Sequence, residues 1–111
     1  MKSLTRQEEQ ILLAVHNLGE NAYLITIREK IKEFTGKYFS VGTIYAPLNR
    51  LDMKGYLESY QGDANSFRGG KAKKFYKVTS QGYQALYEIK KTQERMWKGM
   101  TIPKVNLEVI K

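Results

Sequence analysis

The spacing of apolar residues changes partway along this chain, and the change limits the folds that the chain can adopt. Apolar side chains first recur at steps of three and four, as on one face of a helix. Two segments then alternate as strands do, and a last segment returns to helical spacing. The helical segments are about 6–18, 23–35, 41–54 and 80–98, and the strand segments are 56–61 and 73–78. We therefore predict a mainly α fold with a small β-hairpin.

Local signals place the helix ends. Thr5 and Glu8 form a Thr-x-x-Glu capping box before the first helix, and Ser40 is a good cap for the third. The glycines that can end these helices are Gly19, Gly36 and Gly55. The predicted buried stripes are Leu24, Ile27, Ile31 and Phe34 in the second helix and Val41, Ile44, Leu48 and Leu51 in the third. Pro47 removes one backbone hydrogen bond from the third helix, so we expect a bend there.

Length and composition exclude several functions. A chain of 111 residues usually forms one domain, and without cysteine it has no disulfide, thiolate metal ligand or cysteine nucleophile. His16 is the one imidazole of the sequence, so we expect no multi-histidine metal site, and no cofactor is implied. The run RGGK at 68–71 lacks the strand and helix that flank a phosphate-binding loop. We predict that the protein is not an enzyme.

Hydropathy and net charge indicate where the protein works and what it binds. No segment approaches the roughly 20 apolar residues that cross a membrane, and the first residues lack the apolar stretch of a signal peptide. We expect a cytoplasmic protein with no membrane partner. The formal net charge of +8 favours nucleic acid or another anionic surface as the partner.

The positive charge is concentrated in one part of the sequence. Residues 37–79 carry eight basic and three acidic side chains, and so hold five of the eight surplus charges. Five of these cations fall within ten positions: Arg68, Lys71, Lys73, Lys74 and Lys77. Lysines also protect a sheet edge from aggregation, which accounts well for Lys73 and Lys77. It accounts less well for Arg68 and Lys71, because they lie on a glycine-rich hairpin tip that we expect to be a mobile loop. We therefore favour contact with nucleic acid.

The third helix gives a separate indication. Its predicted outward face carries Thr43, Ala46, Asn49, Arg50 and Lys54, behind Ser40 and Gly42 at its start. Small and polar groups at a helix N-terminus admit a phosphate backbone closely, and Asn and Arg can hydrogen-bond base edges in a major groove. The alternative interpretation is an ordinary solvent-exposed helix face, which has a similar composition. The order of elements favours the first interpretation, because two helices, a polar-faced helix and a basic hairpin form the layout of a winged helix-turn-helix.

Two motifs identify a family that the chain resembles. One is SVGTIYAPLNRLDMKGYL at 40–57, and the other is RGGK at 68–71 followed by KFYKVT at 74–79 and Gly82. Together they resemble the recognition helix and wing of the PadR family of bacterial transcriptional regulators, with the likeness covering about residues 4–98. In the family motif a proline directly follows the tyrosine, whereas Ala46 separates Tyr45 from Pro47 here, which displaces the expected bend.

The resemblance implies a homodimeric repressor that binds double-stranded DNA. The candidate DNA-binding residues are Ser40, Gly42, Thr43, Tyr45, Asn49, Arg50, Lys54, Arg68, Lys71, Lys73 and Lys74. The candidate dimer interface on the last helix is Tyr83, Leu86, Ile89, Gln93, Met96 and Met100. A fold-back of this seam onto the first helix of its own chain is the alternative. Trp97 and Met96 are candidates for binding a small planar aromatic effector, as an aromatic residue of this helix does in some short members of the family, and interface packing fits Trp97 equally.

The expected organisation follows from these assignments. We expect a winged helix-turn-helix over residues 1–79, a C-terminal dimerisation helix over 80–100, and a short, strand-like tail over 101–111. The function we expect is sequence-specific transcriptional regulation, as a ligand-responsive repressor on a palindromic operator. A protein-interaction module without specific DNA binding is the alternative. RNA binding fits less well, since the chain lacks an aromatic RNA-recognition motif on a sheet.

Overall fold

Four helices and one two-stranded sheet make up the fold, in a computed structural model that describes residues 4–62 and 73–104. The helices are α1 (Arg6–Leu18), α2 (Leu24–Thr35), α3 (Val41–Met53) and α4 (Ser80–Trp97), with a 3-10 turn at Gly19–Asn21. The strands are β1 (Leu57–Gln61) and β2 (Lys74–Val78). The predicted fold class, a winged helix-turn-helix with an additional C-terminal helix, is confirmed.

Side-chain caps fix the starts of three helices. The Thr5 hydroxyl accepts from the Glu8 N–H at 3.1 Å, and the Glu8 carboxylate accepts from the Thr5 N–H at 2.9 Å. Ser40 caps α3 and Thr79 caps α4 by the same kind of hydroxyl bond, to the backbone N–H three residues later. These bonds satisfy backbone donors that have no partner inside the helix, so each helix begins where its cap lies.

The core lies where α1, α2, α3 and the hairpin meet. Its buried apolar residues are Ile11, Leu12, Ala14, Val15, Ala22, Ile27, Ile31, Ile44, Leu48, Leu51, Leu57 and Tyr76. Leu24 of the predicted stripes is partly buried against this core, and two other members are exposed. Phe34 is exposed because it occupies the last turn of α2, beyond Ile31, and Val41 is exposed in the first turn of α3.

The hairpin is attached to the helices by its second strand. β1 and β2 pair in antiparallel register, with Leu57 opposite Val78. The other edge of β2 contacts the segment before α2, where the Tyr76 N–H donates to the Ala22 carbonyl at 2.9 Å and Tyr23 forms a bridge with Phe75. Backbone therefore covers part of that edge. Because a covered edge does not need lysines to prevent aggregation, edge protection explains the lysines of β2 less well.

α4 is anchored at its N-terminal end. Gly82 is buried so closely against the chain that a Cβ there would lie 2.3 Å from the Tyr56 carbonyl oxygen. Ala85 is also buried, and Leu86 packs against the core from its edge. The helix ends at Trp97, so Met100 lies beyond it rather than in the last turn of the predicted seam.

Two predicted features lie outside the described residues. The hairpin tip at 63–72 includes Arg68 and Lys71, and the alternating part of the tail begins at 105. Across 4–62 and 73–104, no helix is long and apolar enough to cross a membrane. The same ranges hold no cluster of three His, Cys, Asp or Glu side chains that could bind a metal ion.

Candidate nucleic-acid interface

The N-terminal turn of α3 presents small groups to solvent. Ser40 caps the helix, and its hydroxyl lies 2.7 Å from the Thr43 hydroxyl, so the two side chains share a hydrogen bond at the helix start. Gly42 is exposed, and a Cβ added there would meet no atom within 4 Å. This end of the helix is therefore open to the close approach of an anionic backbone, which its dipole also favours.

One row of residues on α3 faces directly away from the core. Gly42, Ala46, Asn49 and Met53 follow one another at steps of three or four, opposite the stripe that contains Ile44, Leu48 and Leu51. The Asn49 side-chain amide donates to the Met53 sulfur at 3.7 Å. Met53 is 79% exposed, and it was not among the residues selected from the sequence. Its apolar character, taken alone, did not mark it as part of a polar surface.

Tyr45 of α3 lies near enough to Tyr76 of β2 to affect its ionisation. The Tyr45 side chain is exposed, while Tyr76 on β2 is only 2% exposed. Burial raises the pKa of Tyr76 to about 12, with contributions from Asp52 and Tyr45. Tyr76 is therefore a neutral phenol at physiological pH, and it belongs to the core rather than to the surface.

Pro47 lies inside α3 and is buried. Because proline has no N–H, the Thr43 carbonyl one turn earlier lacks its usual helical donor. The Gln7 side-chain amide of α1 donates to that carbonyl at 3.5 Å, a long hydrogen bond. A side chain of the first helix therefore compensates in part for the proline in the third.

Arg50 lies beside the outward row, on the flank of α3 that faces α1. Its Nε lies 3.5 Å from Oε2 of Glu8, whose side chain is 5% exposed. Arg50 itself is half exposed, so its guanidinium touches both a buried carboxylate and solvent. The sequence identified Glu8 as a helix cap and Arg50 as a candidate base contact, but gave no sign of the pairing between them.

The cations of the hairpin are partly neutralised within the chain. Lys74 Nζ lies 3.5 Å from the Asp52 carboxylate of α3, and Lys77 Nζ lies 3.8 Å from Glu58 on β1. Lys73 stacks its ammonium over the Tyr23 ring at 4.2 Å. Within the described ranges, Lys54 is exposed and forms none of the ion pairs. Arg68 and Lys71 lie outside these ranges.

A basic and aromatic cluster adjoins the N-terminus of α3. The Arg28 guanidinium lies 3.9 Å above the Tyr38 ring and donates to the Phe39 carbonyl, directly before the cap Ser40. The Lys32 ammonium lies 5.5 Å from the same ring. Neither Arg28 nor Lys32 was among the candidate residues from the sequence. Their spacing of four residues, followed by a tyrosine, was the signal that could have linked them.

The predicted interface residues of α4 divide into two groups. Leu86 packs at the core, Gln93 donates to Glu9 of α1 at 3.4 Å, and the Tyr83 hydroxyl shares a 2.8 Å hydrogen bond with His16. The seam from Tyr83 to Gln93 therefore lies along the first helix of its own chain, as in the fold-back alternative. Met96 is 72% exposed, and Met100 is exposed beyond the helix.

Two clefts border α4. One, of about 730 Å3, lies between the end of α1, the hairpin and the start of α4, and its lining includes Tyr60, Phe75 and Tyr83. The other, of about 350 Å3, is a groove between α1 and α4. Trp97 and Met96 line neither of them, because both side chains are exposed at the far end of the helix.

Comparison with known proteins gives one consistent family. Residues 11–101 match the transcriptional regulator PadR-like family. An uncharacterised protein of Lysinibacillus sphaericus is 36% identical over 76 residues, which cover 67% of each chain. A PadR family transcription regulator of Clostridium difficile R20291 superposes with a TM-score of 0.66 at 26% identity, over 85% of this chain and 92% of that one. Bacillus subtilis PadR in complex with operator DNA has a TM-score of 0.60 at 24% identity, over 89% and 51% of the two chains.

Proposed function

The chain belongs to the PadR-like family of transcriptional regulators, and we propose that it is a ligand-responsive repressor that binds a palindromic operator as a homodimer. The outward row of α3, which contains Gly42, Ala46, Asn49 and Met53, carries the proposal. This row lies opposite a complete apolar core, so the helix is held firmly while these residues face solvent. A supported helix with a polar and small outer face fits a DNA major groove.

The residues of α3 have different proposed roles. Asn49 is suited to paired hydrogen bonds with adenine, and Arg50 with guanine. Ala46 and Met53 can contact thymine methyl groups, since both present apolar surface on the same row. Ser40, Gly42, Thr43 and Tyr45 lie where the backbone of the duplex would pass the helix start, so we assign them to positioning rather than to sequence reading.

The wing and its neighbours supply phosphate contacts in this proposal. Lys54 is exposed at the end of α3, Lys73 directly precedes β2, and Lys74 begins it. Arg68 and Lys71 in the tip carry further charge. Bacillus subtilis PadR, which has the same fold, was solved with operator DNA, and this supports duplex DNA as the partner. Replacing one phosphate-binding lysine by alanine should reduce the salt dependence of log Kd by about one unit of slope.

The exposed end of α4 supports the homodimer. Met96 and Trp97 expose large apolar side chains at the end of the helix, and Leu13 of α1 lies exposed near its proximal half. Two such helices packed about a twofold axis would bury these side chains and present two copies of α3. The two copies would read half-sites about 34 Å apart, one turn of the duplex, which is why we propose a palindromic operator.

The proposed effector is a small planar aromatic compound at the far end of α4. Trp97 and Met96 are exposed in the single chain, so a closed site there requires the partner chain. An aromatic ring and a thioether form an adaptable apolar wall for a flat ligand. If the Trp97→Ala protein binds candidate planar compounds as tightly as wild type does, Trp97 has no part in effector binding.

A competition gel shift tests the proposed function. The labelled probe is the duplex upstream of the protein's own gene, and the competitors are a random duplex and a single strand of the same length. We expect the complex to survive an excess of both competitors and to weaken steeply with added salt. Equal competition by the random duplex would show that binding is not sequence-specific. No binding to any nucleic acid would favour a protein-interaction module instead.

A further inference from the structure

The first turn of α1 holds α3 at two points. Gln7 donates to the Thr43 carbonyl that Pro47 leaves without a helical donor, and Glu8 pairs with Arg50. Glu8 is 4% exposed, and it is the one charged residue among those that the described chain buries. Burial of a carboxylate is unfavourable unless its oxygens are satisfied, so its contacts restrict it to one orientation.

Both oxygens of Glu8 are used inside the protein. Oε1 accepts from the Thr5 N–H at 2.9 Å, and Oε2 lies 3.5 Å from Arg50 Nε. The capping bond fixes the carboxylate on α1, so the Arg50 guanidinium has a stationary anionic partner. The nearest nitrogen to Glu8 is Nε, and the Arg50 side chain is 48% exposed, so part of the guanidinium is open to another acceptor.

We propose that Glu8 is a positioning residue for sequence readout, which holds Arg50 so that its terminal amino groups meet a guanine in the major groove. The inference rests on the proposed function, since it requires that Arg50 read a base. A free arginine side chain loses rotamer freedom when it forms two hydrogen bonds, whereas an anchored one has lost much of that freedom already. Anchoring therefore increases the preference for the correct base.

The charge of Glu8 gives this role a distinctive signature. Removing a carboxylate close to the duplex raises the attraction of the protein for any phosphate backbone, so nonspecific affinity stays equal or increases. Releasing Arg50 lowers the affinity for the correct sequence. Affinity for the correct sequence then falls while nonspecific affinity does not, whereas partial unfolding would lower both.

Glu8→Gln and Thr5→Ala form a matched pair of variants. A glutamine at position 8 still accepts from the Thr5 N–H, as glutamine does in capping boxes, but it no longer attracts Arg50 as an anion. Thr5→Ala removes the capping hydroxyl and leaves Glu8 and Arg50 in place. The first variant changes the ion pair, and the second changes only the helix cap.

The experiment measures Kd for two duplexes by fluorescence anisotropy, with melting temperatures measured in parallel. One duplex is selected by the wild-type protein from a randomised library, and the other is a random sequence. We expect Glu8→Gln to reduce the ratio of the two affinities about tenfold, the size of one well-made base contact. We expect Thr5→Ala to lower the melting temperature and to leave the ratio unchanged.

An Arg50→Ala background completes the test. Once Arg50 is absent, adding Glu8→Gln should leave the affinity ratio as it is, and a further decrease would show that Glu8 acts by another route and overturn the inference. A wild-type ratio in Glu8→Gln alone would also overturn it, with the proposed function intact. Equal losses on both duplexes would assign Glu8 a structural role only. If the wild-type protein shows no preference for the selected duplex, the proposed function fails, and the inference fails with it.

Discussion

The helical body and the far half of α4 are held in different ways. The body, formed by α1, α2, α3 and the hairpin, has a shared apolar core, to which α3 contributes Ile44, Leu48 and Leu51. α4 buries Gly82 and Ala85 in its first two turns. Farther along, Met96 and Trp97 are exposed.

The residues that stabilise the fold of one chain are therefore different from those that are available to pack against a second chain. Apolar burial supplies most of the stability of a small domain, so the body should carry nearly all of it here. The far half of α4 keeps large apolar side chains that contribute little to the fold of its own chain. A helix of this kind is suited to association, which is the role that we propose for it.

The largest expected effect is in the body. Ile44→Ala removes a fully buried side chain from the inner face of α3, and we expect it to lower the free energy of unfolding by about 2–5 kcal/mol. Met53→Ala on the outer face of the same helix should change it by less than about 0.5 kcal/mol. Urea denaturation measures both. Similar losses for the two variants would mean that α3 is not divided into an inner and an outer face.

The next effect tests the anchor of α4. In Gly82→Ala the new methyl group meets the Tyr56 carbonyl and the Val78 side chain, and we expect a loss of about 1–3 kcal/mol. Gly42→Ala is the control, because its methyl group enters open space and alanine favours a helix by about 1 kcal/mol. Gly42→Ala should therefore raise the melting temperature while weakening DNA binding. A stable Gly82→Ala protein would show that the anchor can shift without cost.

A pH series tests the buried phenol of the body. The pKa of Tyr76 in the folded chain, about 12, lies above its ordinary value of 10.0, so the unfolded chain loses this proton first as pH rises. The stabilisation is fully present below about pH 10 and is lost between about pH 10 and 12, by about 3 kcal/mol. Tyr76→Phe lacks this contribution. Parallel decreases in the stability of wild type and variant over that range would contradict the assignment.

The smallest expected effect on stability is at the far end of α4. We expect Met96→Ala to change the free energy of unfolding of the single chain by less than about 0.5 kcal/mol, measured at protein concentrations below the dimer dissociation constant. The same variant should raise that dissociation constant about tenfold, if Met96 is a central contact of the dimer. A large loss of single-chain stability would mean that this half of α4 packs on its own body.

Local patterns in the sequence were sufficient for much of the fold. The caps at Thr5 and Ser40 and the two apolar periods placed the helices and the hairpin within one or two residues. Phe34 and Met100 were misplaced because periodicity shows which face a residue occupies but not how far the core or the helix extends. Ala46 and Asn49 of the outer row of α3 could be predicted, since they lie opposite the apolar stripe, whereas Met53 was not.

Contacts between distant segments could not be predicted in this way. Glu8 and Arg50 are 42 positions apart, and each has a sufficient local explanation, as a cap and as a surface charge. The pairing of Lys74 with Asp52 is hidden for the same reason. A count of surplus charge treats Arg50 and Lys74 as available to a ligand. In the fold, a carboxylate of the same chain already pairs with each of them.

Sedimentation of the protein alone and with its selected duplex tests the division between body and α4 most directly. We predict a dimer in solution and two chains on each duplex, with Met96→Glu giving a folded monomer that binds the duplex weakly. The carboxylate is tolerated in a single chain because position 96 is exposed, but it opposes the packing of two helices. A tight complex of one chain per duplex, unchanged by Met96→Glu, would contradict the account.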